Sequence, residues 1–116
     1  MSKRSVSRFA WNLPCYPEYR AWLYKAKIIN LSLNGLLIES VIPGYREDDN
    51  GVIIIIGGKK IDCRVIRKEK SLIGLQYEYM DIDTLLTIKE KLIEFSGDKN
   101  LVEEEFTLLL EGGENV

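Results

Sequence analysis

Apolar and polar positions alternate along the first two thirds of the chain, and then the period lengthens. Phe9 to Pro14 (FAWNLP) reads as a short edge strand, stopped by Pro14 and Pro17, which cannot donate to a ladder. From Arg20 to Ile29, Trp22, Tyr24, Ala26 and Ile28 fall on one face and Lys25 and Lys27 on the other, the pattern of a half-buried strand. NLSLNG (Asn30 to Gly35) interrupts with turn formers, and Leu36 to Ser40 resumes the strand pattern. PGYREDDNG (43–51) is a polar loop. VIIII (52–56) and KKIDCRVIRK (59–68) flank Gly57-Gly58, which predicts a hairpin. A turn over 68–71 leads into IGLQYEY, with Ile73, Leu75, Tyr77 and Tyr79 on one face. About six short strands with regularly spaced turns predict an antiparallel barrel or sandwich.

At Met80 the spacing becomes helical. Asp81 or Asp83 serves as N-cap and Gly97 as stop, with Leu85, Leu86, Ile88, Leu92, Ile93 and Phe95 between them. DKNLVEEEFTLLLEGG (98–113) predicts a second short helix, with Val102, Phe106, Leu109 and Leu110 on one side and Glu103 and Glu104 on the other. One helix over the end of a barrel already closes a core. The second is therefore the better candidate for contact with a protein partner or with a second copy of the chain.

Composition narrows the function class. At 116 residues, 46% hydrophobic and 29% charged, the chain reads as one globular domain. No run approaches the roughly 18 apolar residues of a membrane span, so no membrane insertion is expected, and no apolar stretch follows the N-terminal charges as in a secretory signal. Cys15 and Cys63 form no CxxC pair and read as reduced, buried thiols of a cytoplasmic protein. The absence of histidine removes the commonest general base and metal ligand, and neither a metal nor a cofactor is expected. GGKK (57–60) lies between two strands, not before a helix, and lacks the frame of a phosphate loop. Glu47, Asp48 and Asp49 are loop acids. With no catalytic constellation, the chain does not read as an enzyme.

Charge is uneven although the net is only -2. Residues 1–30 hold six basic side chains (Lys3, Arg4, Arg8, Arg20, Lys25, Lys27) against Glu18 alone, whereas from Glu78 onward there are eleven acids and three lysines. A basic N-terminal part facing an anion is the simplest electrostatic reading. Arg4 and Arg8 stand four residues apart. An arginine fork matches phosphate oxygens and the O6/N7 edge of guanine, and its plane stacks on a purine. NLSLNG, taken alone, is a plain turn in which Asn and Ser bond their own backbone and Gly takes a positive φ. The same residues also make a polar platform, with the Asn30 amide, the Ser32 hydroxyl and a backbone at Gly35 that a ligand can approach.

RSVSR (Arg4 to Arg8) fits the RxxxR motif of PilZ domains, and NLSLNG fits their [D/N]xSxxG motif. The chain resembles that family from residue 4 to about 96: residues 9–29 would cover the first strand and most of the second, and IGLQYEY with the following helix looks like the family's last strand and helix. The resemblance implies a mainly β fold, a six-stranded antiparallel PilZ-type β-barrel with a C-terminal helix or helices. It divides the chain into a flexible arm (1–8) carrying RxxxR, a barrel (9–80) and a helical segment (81–116). It implies a stand-alone cytoplasmic receptor for the bacterial second messenger cyclic di-GMP, whose arm is ordered by the nucleotide and which signals to a protein partner. Carried over by position, Arg4 and Arg8 would clamp guanine and phosphate, Asn30 and Ser32 would bond the base, and Gly35 would leave room. Asn30 stands where the family often has Asp, so charge assistance is lost and somewhat weaker binding is expected. Lys3 either adds a phosphate contact or is solvated. Trp11 and Trp22 either stack a base or pack in the core. Two other readings stay open. One is a ligand-free PilZ-like adaptor whose helices bind a protein; the other is a barrel binding single-stranded RNA along Trp22–Ile29, against which the pI near 5.2 argues.

Overall fold

Why the centre of the molecule is a sheet follows from residues 51–79. Val52, Ile54, Ile56, Ile61, Cys63, Val65, Ile73 and Leu75 are all buried, while the charged residues between them on the 59–69 run are exposed. β-branched side chains at every second position fill one face of a pleated ladder. In the computed structural model, which describes residues 7–112, the strands are β1 (Phe9–Cys15), β2 (Glu18–Tyr19), β3 (Trp22–Leu23), β4 (Ala26–Leu31), β5 (Gly35–Ser40), β6 (Gly51–Ile56), β7 (Lys59–Glu69) and β8 (Leu72–Tyr79). Two helices follow, α1 (Ile82–Ser96) and α2 (Lys99–Gly112).

All neighbouring strands are antiparallel, in the order β1-β4-β5-β8-β7-β6-β2-β3. The sheet curls into a half-barrel with β1 and β3 at its two ends. The mainly β class with C-terminal helices expected from the sequence is found. Among the described residues the strand count is eight, not six, because the strand expected over Arg20–Ile29 breaks into β3 and β4 and Glu18–Tyr19 forms the further strand β2. Arg20 and Ala21 take φ of 53° and 69° and turn the chain back, pairing Tyr19 with Trp22. The ladder resumes only at Ala26. Trp22 is therefore 70% exposed, outside the core in which alternation placed it.

The 57–58 hairpin is as expected: both glycines have positive φ, and Ile56 pairs with Lys59. Asp81 caps α1, its carboxylate accepting from the Thr84 N–H at 2.8 Å, and Gly97 closes the helix in the left-handed region. Ile88 and Leu92 of α1 and Val102 and Phe106 of α2 complete the core that the sheet begins. Trp11 of β1 meets Phe95 of α1 edge-on, with centroids 4.9 Å apart, so this tryptophan belongs to the packing under the helix. Cys15 and Cys63 are buried and unbonded, and burial pushes their thiols up to about 11 and about 12. Among the described residues no helix is long and apolar enough to cross a membrane.

Candidate functional site

The two motifs meet because of one pairing register. β1 runs antiparallel to β4, with Phe9 opposite Leu31 and Ala10 opposite Asn30. The residue before Phe9 is then carried to the turn that follows Leu31. Arg8 accordingly lines a groove of about 340 Å³ together with Asn30, Ser32, Asn34 and Gly35. The spacing between the motifs is thus the length of an out-and-back excursion along β1 to β4. Arg4 and Lys3 lie outside the described residues.

The groove has a further wall. Arg67 and Ile66 of β7 and Gln76 of β8 line it opposite the turn, over an apolar base that includes Leu36 and Leu75. Among the described residues no acidic side chain lines it. Arg8 and Arg67 are both exposed and have no ion-pair partner among the described residues. Arg64 donates to the Gln76 Oε1 at 3.0 Å, which fixes that amide and leaves its NH2 group for another acceptor. Two unpaired guanidiniums facing a polar turn make a cavity that suits an anion carrying hydrogen-bonding edges.

The turn itself is tightly built. Ser32 is 3% exposed, and its Oγ lies 2.8 Å from Asn34 Oδ1 and 3.1 Å from the Gly35 carbonyl, the two acceptors for its single proton. The same oxygen accepts from the Asn34 and Gly35 N–H groups at 3.3 and 3.2 Å. From below, the Tyr77 hydroxyl donates to the Ser32 carbonyl at 2.9 Å and the Tyr77 N–H to the Asn34 carbonyl at 3.2 Å. Burial, followed by the nearby Cys63, pushes the Tyr77 phenol well above its usual range, so it stays a donor. Ser32 is thus occupied in holding the turn, whereas the Asn30 amide makes no hydrogen bond among the described residues.

Gly35 lines the groove but differs from the plain-turn reading. Its φ is not positive, and its bareness is demanded by β8. A Cβ there would land on the Leu75 carbonyl oxygen and come within 3.2 Å of the Gln76 Cα. Glycine is required where β5 leaves the turn and closes on β8, opposite Gln76.

Trp22 does not line the groove, and Trp11 is taken up by α1. Asn34, Arg67 and Gln76 were not singled out from the sequence. Asn34 sat inside the quoted motif. Arg67 had one visible signal: it continues the parity of Ile61, Cys63 and Val65, a buried face on which a lone arginine is out of place. The structure resolves this with an irregularity at Ile66, between the pairs Val65–Leu75 and Arg67–Gly74.

A family model of the PilZ domain matches residues 2–96. No curated protein matches the chain in sequence. Among solved structures, the PilZ domain of CeSA from a cellulose synthesizing bacterium superposes with a TM-score of 0.61 at 13% identity, covering 78% of this chain and 96% of that one. The apo structure of MrkH from K. pneumonia gives 0.57 at 16% identity, covering 84% of this chain and 52% of that one, so the chain corresponds to about half of MrkH. At these identities the structural likeness speaks for the fold.

Proposed function

The chain belongs to the PilZ domain family, whose members are generally cyclic di-GMP receptors and typically regulatory binding domains, and we propose that it binds cyclic di-GMP in the groove between the Ser32 turn and β7. The observation that carries this reading is the β1–β4 register, which brings Arg8 to the turn built from the second motif. Arg8, with Arg4 four residues before it, offers guanidinium forks to phosphate oxygens and to the guanine O6/N7 edge. Asn30 offers its amide to a guanine N–H. Ser32 holds the turn in shape, and Gly35 lets β5 close on β8. Arg67 adds a third cation from the opposite wall.

Binding pins Arg4 and Arg8, orders the N-terminal arm, and changes the surface offered to a protein partner or second copy at the C-terminal helices. Leu108 and Leu110 of α2, exposed on that side of the chain, support such a contact. They equally support the adaptor reading, in which the helices bind a protein without nucleotide.

Isothermal titration with cyclic di-GMP separates the two readings. Saturable heat at micromolar ligand is expected, and Arg4→Ala and Arg8→Ala each weaken binding by about 1–3 kcal/mol, as for lost charge-assisted bonds. No heat at tens of micromolar, with a partner captured regardless of nucleotide, sinks the receptor reading in favour of the adaptor.

A further inference from the structure

α2 begins at Lys99, after the family match ends at residue 96. Val102 and Phe106 bury one side of it, and Lys89 of α1 sits over the Phe106 ring at 4.7 Å and 3.9 Å from the Glu103 carboxylate. These contacts dock the helix and say nothing of ligand. Glu105 points elsewhere. Its Oε1 accepts from the Ser7 backbone N–H at 2.9 Å and its Oε2 from the Ser7 hydroxyl at 2.5 Å, joining residues 98 apart in sequence. Ser7 immediately precedes Arg8, which lines the groove.

The choice of partner is informative. A carboxylate one residue from an arginine would ordinarily be expected to pair with it, which would neutralise the arginine and block an incoming phosphate. Here Glu105 takes the main chain and hydroxyl of Ser7, and Arg8 has no ion pair among the described residues. The carboxylate fixes the backbone at the root of the arm while the guanidinium stays free. Two bonds to two oxygens of one carboxylate, on a helix itself locked by Phe106 and Val102, hold that root in place before any ligand arrives.

We infer that Glu105 is a positioning residue for nucleotide binding: α2, lying beyond the family's own segment, clamps Ser7 so that Arg8 is presented to the groove and the ligand need not order that part of the arm. The inference rests on the reading that cyclic di-GMP occupies the groove. Holding one residue's backbone in advance is worth roughly 5- to 30-fold in affinity.

Titration with cyclic di-GMP tests it on the full chain. Glu105→Ala weakens binding by about that factor, although removal of a negative charge near an anion site would by itself tighten it. Glu105→Gln restores most of the affinity, since its amide oxygen still accepts from the Ser7 N–H and its NH2 can donate to the Ser7 hydroxyl. In an Arg8→Lys background, which keeps a measurable affinity, the Glu105→Ala effect shrinks, because there is less for the clamp to position. Thermal melting reports whether each variant folds; if Glu105→Ala does not, Ser7→Ala removes one of the two bonds and shows a smaller loss. Unchanged or tighter binding by a folded Glu105→Ala, or an equal loss with Arg8→Lys, overturns the inference and leaves the receptor reading standing. A wild-type chain that gives no heat overturns the receptor reading and the inference with it.

Discussion

Ser32→Ala is the substitution that most sharply separates a residue that touches ligand from one that builds the site. The hydroxyl is 3% exposed, donates to one of two nearby acceptors and accepts two backbone N–H groups. Both accepted bonds are long, so each contributes at the low end, about 0.5–1 kcal/mol. The Gly35 N–H is left buried without this acceptor, adding roughly another 1 kcal/mol. The sum is about 2–3 kcal/mol. A chain this size gains about 2.1 cal/mol/K of unfolding entropy per residue, so each kcal/mol moves Tm by about 4 °C and the expected drop is about 8–12 °C. Differential scanning calorimetry without nucleotide reads it directly. The reasoning fails if Tm stays within about 2 °C of wild type while cyclic di-GMP binding falls, because the hydroxyl would then serve the ligand and not the turn.

Four further outcomes follow from the structure. Gly35→Ala drives a Cβ into the Leu75 carbonyl and lowers stability by about 1–3 kcal/mol or more by calorimetry, taking nucleotide binding with it though glycine offers no side chain to a ligand. Neither Cys15 nor Cys63 reacts with Ellman's reagent at pH 8 in the folded chain, and both do in guanidinium, since burial holds the thiols at about 11 and about 12. A thiol pKa raised by folding gives stability that is intact below the unfolded value near 9.0 and is lost as pH rises towards the folded value; urea titrations should lose about 1.4 kcal/mol per pH unit for each thiol above that point. Asp81 behaves oppositely: the Thr84 N–H lowers its pKa from 3.8, so the Tm gap between wild type and Asp81→Ala is present at neutral pH and closes as pH falls below the carboxylate range.

Much of the fold was legible because it is written in local periods. The β-branched run of 52–56 and the alternation of 61–65 and 73–79, against the helical spacing of 85–95, set the order of elements, and Asp81 and Gly97 marked both ends of α1. What local reading missed depended on backbone irregularity. A turn at Arg20-Ala21, made of residues that seldom take positive φ, looks like continuous strand in sequence, so Trp22 read as part of that strand's apolar face. The irregularity at Ile66 similarly hid Arg67, which alternation sends inward and the structure sends to the groove. At the site, Arg8, Asn30, Ser32 and Gly35 were recognisable as a set, yet what β8 demands of Gly35 was not. The Ser32 bonds stay within the six-residue motif, as a plain turn requires, whereas the Gly35 approach to β8 is a tertiary fact that the motif does not encode. The Ser7–Glu105 contact spans almost the whole chain and has no local signature.

Backbone amide shifts during titration of the 15N-labelled chain with cyclic di-GMP test the central claim most directly. Binding in the groove should move Arg8, the residues from Asn30 to Leu37, Arg67 and Gln76, and leave Trp22, Leu23 and the Gly57-Gly58 turn where they are. Saturable shifts confined to β3 or to the outer face of α2, with the Ser32 turn silent, would contradict it.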